Sequence, residues 1–182
     1  MIPGLRVLRE YVTPDEGDAL LAAIDASPWL DALQRRVQHY GYRYDYKARR
    51  VRAESYLGPL PVWLDALTDR LMRDGIFAQR PDQAIVNEYT PVQGISAHVD
   101  CVPCFGPVIA SLSLGSGATM DFSRAGAERM SLHLAPRGIV VMADEARYAW
   151  RHAIPGRKND VVEGVTVPRG RRVSVTFRTV IV

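Results

Sequence analysis

In the stretch Ser96-Ala97-His98-Val99-Asp100 an imidazole and a carboxylate stand two residues apart. On a strand, alternate side chains share a face, so His98 and Asp100 would project side by side. Together they make two-thirds of the 2-His-1-carboxylate set that holds non-haem iron(II) with open coordination positions. One such tripeptide says little by itself, but three other features accompany it. A lone His152 follows a strand-and-turn pattern, Asn87-Glu-Tyr89 lies upstream, and Arg172-Val-Ser-Val-Thr-Phe-Arg178 lies downstream. By alternation, Arg172, Ser174, Thr176 and Arg178 share one side of that last strand, with Val173, Val175 and Phe177 on the other. The polar side is either solvent-exposed, as in a half-buried strand, or it lines a cavity where guanidinium groups grip carboxylates with two prongs. A dicarboxylate with a 2-oxo group needs such a grip at its far end while its keto acid chelates iron. Asn87 and Tyr89, on one face of their own strand, could add hydrogen bonds to the same molecule.

These residues need elements to position them. Thr13-Pro14-Asp15-Glu16 reads as a helix opening, with Thr as cap, Pro at the first helical position and Glu three residues after the cap. The helix carries Leu20, Leu21, Ala23 and Ile24 and fades near Ser27-Pro28. A second helix is predicted from Pro59 to about Arg73, with Leu60, Leu64, Leu67 and Leu71 along one face and Gly75 at its end. Strands follow over Ala84–Tyr89, Val108–Leu114, Met120–Phe122, Met130–Leu134, Gly138–Met142 and Arg172–Val182, with Ala146–Trp150 leading to His152. Short strands separated by turns, without alternating helices after residue 80, predict a mainly β core with two N-terminal helices, an α+β arrangement.

Between the helices lies Arg35-Arg36-Val-Gln-His39-Tyr40-Gly-Tyr42-Arg-Tyr44-Asp-Tyr46, followed by Lys47, Arg49, Arg50 and Arg52. Tyrosines at every second position would all face one side of a strand. That face either packs on the core or stacks unpaired bases beside a basic rim.

The chain of 182 residues suits one domain. A hydrophobic content of 47% is ordinary for a globular protein. No run is long enough to span a bilayer, and Arg6, Arg9 and Glu10 interrupt any signal-peptide core. The expectation is a cytoplasmic monomer without a membrane role. Cys101 and Cys104 read as reduced loop thiols rather than a redox or zinc pair. The net charge of +3 permits an anionic partner without requiring one. His39 and His133 read as hydrogen-bonded side chains, and Trp150 as packing.

Taken together, His98-Val-Asp100, His152, Arg172-x-Ser174-x-Thr176-x-Arg178 and Asn87-x-Tyr89 resemble the AlkB family of iron(II) and 2-oxoglutarate-dependent dioxygenases. The resemblance covers roughly residues 83 to 182, with further likeness over Arg35–Tyr46. It implies one domain over residues 1–182: N-terminal helices and a substrate-recognition lid in 1–80, and a double-stranded β-helix (jelly-roll) catalytic core in 81–182. It implies Fe(II) held by His98, Asp100 and His152, with O2 and 2-oxoglutarate as cosubstrates. Arg172 and Tyr89 would hold the distal carboxylate of 2-oxoglutarate, Arg178 and Asn87 its keto-acid end, with Ser174 on the same strand. The lid would offer Arg35, Arg36, Tyr40, Tyr42 and Tyr44 to substrate.

Ser174 stands where the family commonly has Asn, which argues against the founding DNA-repair branch. Arg35–Tyr42 and Ser111–Gly117 look more similar to the branch whose oxygenase domain is joined to a tRNA methyltransferase, although this chain has no room for that second enzyme. The implied reaction couples oxidative decarboxylation of 2-oxoglutarate to hydroxylation of a C–H bond on nucleic acid, either RNA or single-stranded DNA. An N-methyl carbon would then leave as formaldehyde, whereas a carbon side chain would keep its hydroxyl. The rival readings are the same iron chemistry on a protein or small molecule, and a non-catalytic β-domain that binds nucleic acid.

Overall fold

The computed structural model describes residues 1–31 and 34–182. The chain opens with strand β1 (Leu5–Leu8) and helix α1 (Pro14–Asp25). Thr13 Oγ1 accepts from the Glu16 N–H (3.2 Å), and Glu16 Oε2 accepts in return from the Thr13 N–H (2.8 Å). Two of the helix's orphan donors are thereby satisfied by the residues that the sequence pattern singles out. Strand β2 (Val37–Tyr40) and helix α2 (Asp65–Arg73) follow. After α2 come β3 (Gln83–Tyr89), β4 (Ile95–His98), β5 (Ile109–Gly115), β6 (Ala118–Ser123), β7 (Met130–Leu134) and β8 (Ile139–Met142). The short helix α3 (Asp144–Tyr148) precedes β9 (Arg151–Ile154), β10 (Asn159–Val162), β11 (Val165–Pro168) and β12 (Arg172–Arg178).

The strands make a six-stranded sheet in the order β1-β8-β5-β12-β3-β2 and a four-stranded sheet in the order β4-β9-β6-β7. From β3 onward the chain passes back and forth between these sheets, which is a mainly β jelly roll. The outer face of the larger sheet carries Val173, Val175 and Phe177, all fully buried, against Ile24 of α1 and Leu71 of α2. Between the sheets, Ile109, Val140 and Met142 meet Met120, Phe122, Leu134 and Ile154. Burying these side chains supplies on the order of 1.5–3 kcal/mol each. Among the described residues, no helix is long and apolar enough to cross a membrane.

Several boundaries differ from the sequence expectation for local reasons. Helix α2 starts at Asp65, not Pro59, because Pro61 holds an extended ψ of 147° and only a 3₁₀ turn at Val62–Leu64 can form first. It ends as expected near Gly75, whose φ of 64° lets the Ile76 N–H reach back to the Leu71 carbonyl (3.0 Å). Ala146–Tyr148 is helical within α3. Strand β12 stops at Arg178. Two features escaped the pattern: β1, which pairs with β8, and the β10–β11 hairpin, a two-stranded sheet of its own turning at Glu163-Gly164.

The tyrosine-rich stretch departs most. Gly41 adopts φ 76° and ends β2 at Tyr40, so the tyrosines do not share one strand face. A Cβ at Gly41 would collide with the Asp82 carbonyl oxygen. Gly75 has similar φ but open space around it. Gly75→Ala should therefore cost about 1–2 kcal/mol, and Gly41→Ala roughly 3 kcal/mol or more, since overpacking adds to the strain. Urea unfolding of both variants checks this; equal midpoint shifts would show that the approach of Gly41 to Asp82 carries no weight.

Candidate active site

The pairing of β4 with β9 sets His98 directly opposite His152, so the two imidazoles are cross-strand neighbours with ring centroids 4.3 Å apart. Asp100 lies two residues past His98, beyond the end of β4, and still returns its carboxylate to the same point: Oδ1 is 3.5 Å from His98 Nε2. One ligand atom from each of His98, Asp100 and His152 lies within 4.8 Å of the others. His98 Nδ1 donates to the Ser96 carbonyl (2.7 Å), which leaves Nε2 as the free lone pair facing the cluster. Burial pushes His152 down to about 4, against the opposing pull of Asp100, so the ring is neutral at pH 7. Burial alone would raise Asp100, but the Arg178 guanidinium and the two histidines outweigh it and hold the carboxyl well below its ordinary range. A neutral His152, the inward-facing Nε2 of His98 and an ionised Asp100 carboxylate fit a divalent iron with positions left open.

The cluster stands in a cavity of about 480 Å³ whose floor is β12. Arg172, Ser174, Thr176 and Arg178 all line it, as do Asn87 and Tyr89 from the adjacent β3. Facing hydroxyls keep the floor low: Ser174 pairs with Ser113 and Thr176 with Ser111 across to β5. These small side chains leave unfilled a space that larger residues would close. Arg178 Nε donates to Asp100 Oδ2 (3.1 Å), and its guanidinium lies 4.7 Å from the centre of the Phe105 ring. Arg172 is 3% exposed, donates to Ser113 Oγ (2.9 Å) and has its charge 5.4 Å from the Tyr89 ring centre. Its Nε has no acceptor, and it makes no ion pair among the described residues.

The residues expected in a substrate-recognition lid separate into two groups. Arg35 points inward, donating from Nε to Asn87 Oδ1 (2.9 Å), with its charge 5.9 Å from the Tyr46 ring and 5.8 Å from the Tyr89 ring. Tyr44 also lines the cavity, edge-on to Tyr46 and against Phe105. Arg36, Tyr40 and Tyr42 are not brought there. Arg36 turns outward onto Glu88 (2.6 Å) and the Trp29 ring, and its charge is spent in a network with Arg171 and Asp25. Tyr40 packs edge-on against Trp63 over the core, its hydroxyl donating to Gln38 Oε1 (3.0 Å). Tyr42 pairs with Tyr56 outside the cavity.

Tyr46 and Arg49, which the sequence places in the tyrosine series and its basic rim, also line the cavity. Tyr46 continues the every-second-residue series, whereas Arg49 reaches its place through a left-handed φ of 52° that no spacing announces. Cys101 and Cys104 are corrected: they form a disulfide, because a turn with the Cys104 N–H on the Cys101 carbonyl (3.2 Å) sets their Cα atoms 5.2 Å apart. His39 accepts from the Tyr44 N–H (3.4 Å).

Residues 4–178 match the 2OG-Fe(II) oxygenase superfamily, and the chain belongs to it; such enzymes use Fe(II), 2-oxoglutarate and O2. Within the superfamily the chain is AlkB-like. It is 37% identical over 203 residues to the alkylated DNA repair protein ALKBH8 homolog of Arabidopsis thaliana, covering 98% of this chain and 59% of that one. It is 40% identical over 185 residues to the uncharacterized protein L905 of Acanthamoeba polyphaga mimivirus, covering 98% and 85%. The solved structure of OsALKBH1 superposes with a TM-score of 0.72 over 98% of both chains at 16% identity, a likeness of fold.

His39 shares with His152 a value pushed down to about 4 from 6.5, in both cases chiefly by burial. The unfolded chain then binds protons at these positions more readily than the folded one. Stability present above pH 6.5 is lost as pH falls towards 4. In the metal-free protein the urea midpoint should decline through that window, and His39→Asn, which keeps an acceptor for Tyr44, should flatten the decline. An unchanged slope in that variant would assign the proton uptake elsewhere.

Proposed function

We propose that this enzyme hydroxylates a C–H bond on a nucleic-acid base, with His98, Asp100 and His152 as its iron ligands. Arg172 is the observation that carries the cosubstrate assignment. A guanidinium so deeply buried, with an unpaired Nε and no carboxylate partner among the described residues, is costly unless an anion joins it. The distal carboxylate of 2-oxoglutarate supplies that anion, beside Tyr89, while Asn87 and Ser174 border the rest of the molecule. Bound iron(II) supplies the chemistry that couples loss of CO2 from 2-oxoglutarate to oxygen insertion in the substrate.

The chain's own residues do the positioning. Arg178 orients the Asp100 carboxylate and keeps it ionised, and the Ser96 carbonyl fixes the tautomer of His98. Met120, Met142, Ile109 and Ile154 give the cavity an apolar side. At its mouth Tyr44 and Tyr46 offer ring faces to an unstacked base, with Arg35 and Arg49 close by for base edge or phosphate. The name of the Arabidopsis relative points to nucleic acid as the substrate class. A panel of modified nucleosides in RNA and single-stranded DNA, with peptides as controls, read by mass spectrometry, tests it; oxidation of a peptide alone would overturn the nucleic-acid reading.

His98→Ala, Asp100→Ala and His152→Ala should each abolish conversion of 2-oxoglutarate to succinate, and stoichiometric iron with full activity in any of them would remove that residue from the ligand set. Arg172→Lys should raise the 2-oxoglutarate concentration needed for half-maximal turnover about tenfold or more, because an ammonium cannot reproduce a planar fork; an unchanged value would place the distal carboxylate elsewhere. Tyr44→Ala should weaken RNA or single-stranded DNA binding by about 1–3 kcal/mol. Tyr40→Ala, a core truncation, should lower the melting temperature while leaving affinity intact, as binding and melting curves on the same samples would show.

A further inference from the structure

Helix α3 carries a buried side chain that the reaction does not use. Arg147 is 2% exposed, and its guanidinium is spread over four backbone carbonyls. Nη1 donates to the Asp100 carbonyl (3.0 Å), Nη2 to those of Cys101 (3.2 Å) and Phe105 (3.2 Å), and Nε to that of Gly106 (3.2 Å). The first two acceptors open the loop after Asp100 and the last two close it, so one cation gathers both ends. It has no carboxylate partner among the described residues; carbonyl dipoles and the Tyr148 ring, 4.8 Å away, take the place of an anion. An apolar side chain of the same volume would take these donors away from all four carbonyls, so it is the guanidinium that lets both ends of the loop be buried together.

The position of Arg147 in the chain gives the arrangement its meaning. Five residues later comes His152, on the strand that α3 leads into. The loop that Arg147 holds begins at Asp100. The ladder between β4 and β9 cannot fix Asp100, because β4 ends at His98 and the register between Ile95 and His98 is irregular. Arg151 adds a single bond from the surface to the Ala97 carbonyl (2.6 Å). The Asp100 carboxylate is held by Arg178, but a carboxylate is only as well placed as the backbone that bears it.

We propose that Arg147 is a positioning residue of the metal centre: it fixes the Asp100 backbone relative to His152 before the metal arrives, so that the site is preformed. The inference rests on His98, Asp100 and His152 being the ligands. A structural arginine would contribute to folding alone; a positioning arginine contributes to metal affinity as well. Outer partners of this kind typically change affinity 10–100-fold when lost.

The test is Mn(II) binding, followed by the electron paramagnetic resonance of the free ion, on metal-free wild type, Arg147→Lys and Leu71→Ala. Leu71 lies in the helix-side core, so its truncation destabilises the fold without touching the loop. Arg147→Lys, able to reach only part of the carbonyl set, should weaken Mn(II) binding at least about tenfold in folded protein, and Leu71→Ala should leave it unchanged. An Arg147→Lys variant that melts lower but binds Mn(II) within twofold of wild type overturns the proposal. Wild type that binds no Mn(II) overturns the ligand assignment and this proposal with it, so the two failures are distinguishable. Should Arg147→Lys not fold, hydrogen exchange on metal-free wild type decides. Slow exchange across residues 101–106 before metal is added supports a preformed loop; slow exchange only after Mn(II) addition overturns it.

Discussion

A guanidinium taken out of water must find acceptors or an anion, and β12 takes two out of water, one at each end. Arg172 and Arg178 are 3% and 8% exposed, and six residues of extended chain, about 20 Å, separate their backbones. At one end Arg178 meets Asp100, which holds its carboxyl well below the ordinary range beside two imidazoles. At the other Arg172 keeps an unpaired donor beside Tyr89. Between them the smaller Ser174 and Thr176 line the same cavity, so the two guanidinium groups bound one stretch of its floor. The strand can carry this polar edge because its reverse side, Val173, Val175 and Phe177, is locked under the helices at the centre of the larger sheet.

The alternation that exposes this arrangement is visible in the sequence, since a period of two is unambiguous in Arg172–Arg178. The helix openings at Thr13 and the stop at Gly75 were legible for the same reason: caps are written in a few adjacent residues. What the pattern could not show was where chain direction changes through a single left-handed residue. Gly41 breaks the tyrosine series because Asp82 passes against it, a contact between segments far apart in sequence. Nor could it reveal β1, whose Leu5–Leu8 is too short to carry a period and exists because the edge of β8 is there to pair with it.

The candidate site divides along similar lines. Residue types that do chemistry, such as His98, Asp100 and His152, can be picked out by type and spacing, and the structure brings them together. Of the residues expected in a lid, Arg35 and Tyr44 reach the cavity while Arg36, Tyr40 and Tyr42 do not, because the turn at Gly41 and the pull of Glu88 on Arg36 redirect them. Arg147 carries no motif at all. Its partners are backbone carbonyls, which every residue owns, so nothing in the identity of Asp100, Cys101, Phe105 or Gly106 could have announced it. The disulfide was misread for a related reason: Cys-x-x-Cys spacing leaves open whether the intervening turn closes.

The β10–β11 hairpin belongs to neither sheet, yet it lies in the chain between His152 and Arg172. Its root is the buried Asp160, which accepts from both Nε and Nη2 of Arg169 (2.6 and 2.8 Å) and from the Thr119 N–H of β6. Beyond that root Val161, Val165 and Val167 stand in solvent. The hairpin is thus a spliced-in module, fastened at one charged knot. Its tip can be lengthened, trimmed or replaced over evolutionary time with the strand that bears the histidine and the strand that bears the arginines left in register. Enzymes built on this plan can diversify their outer contour at Glu163-Gly164 while their interior chemistry stays fixed.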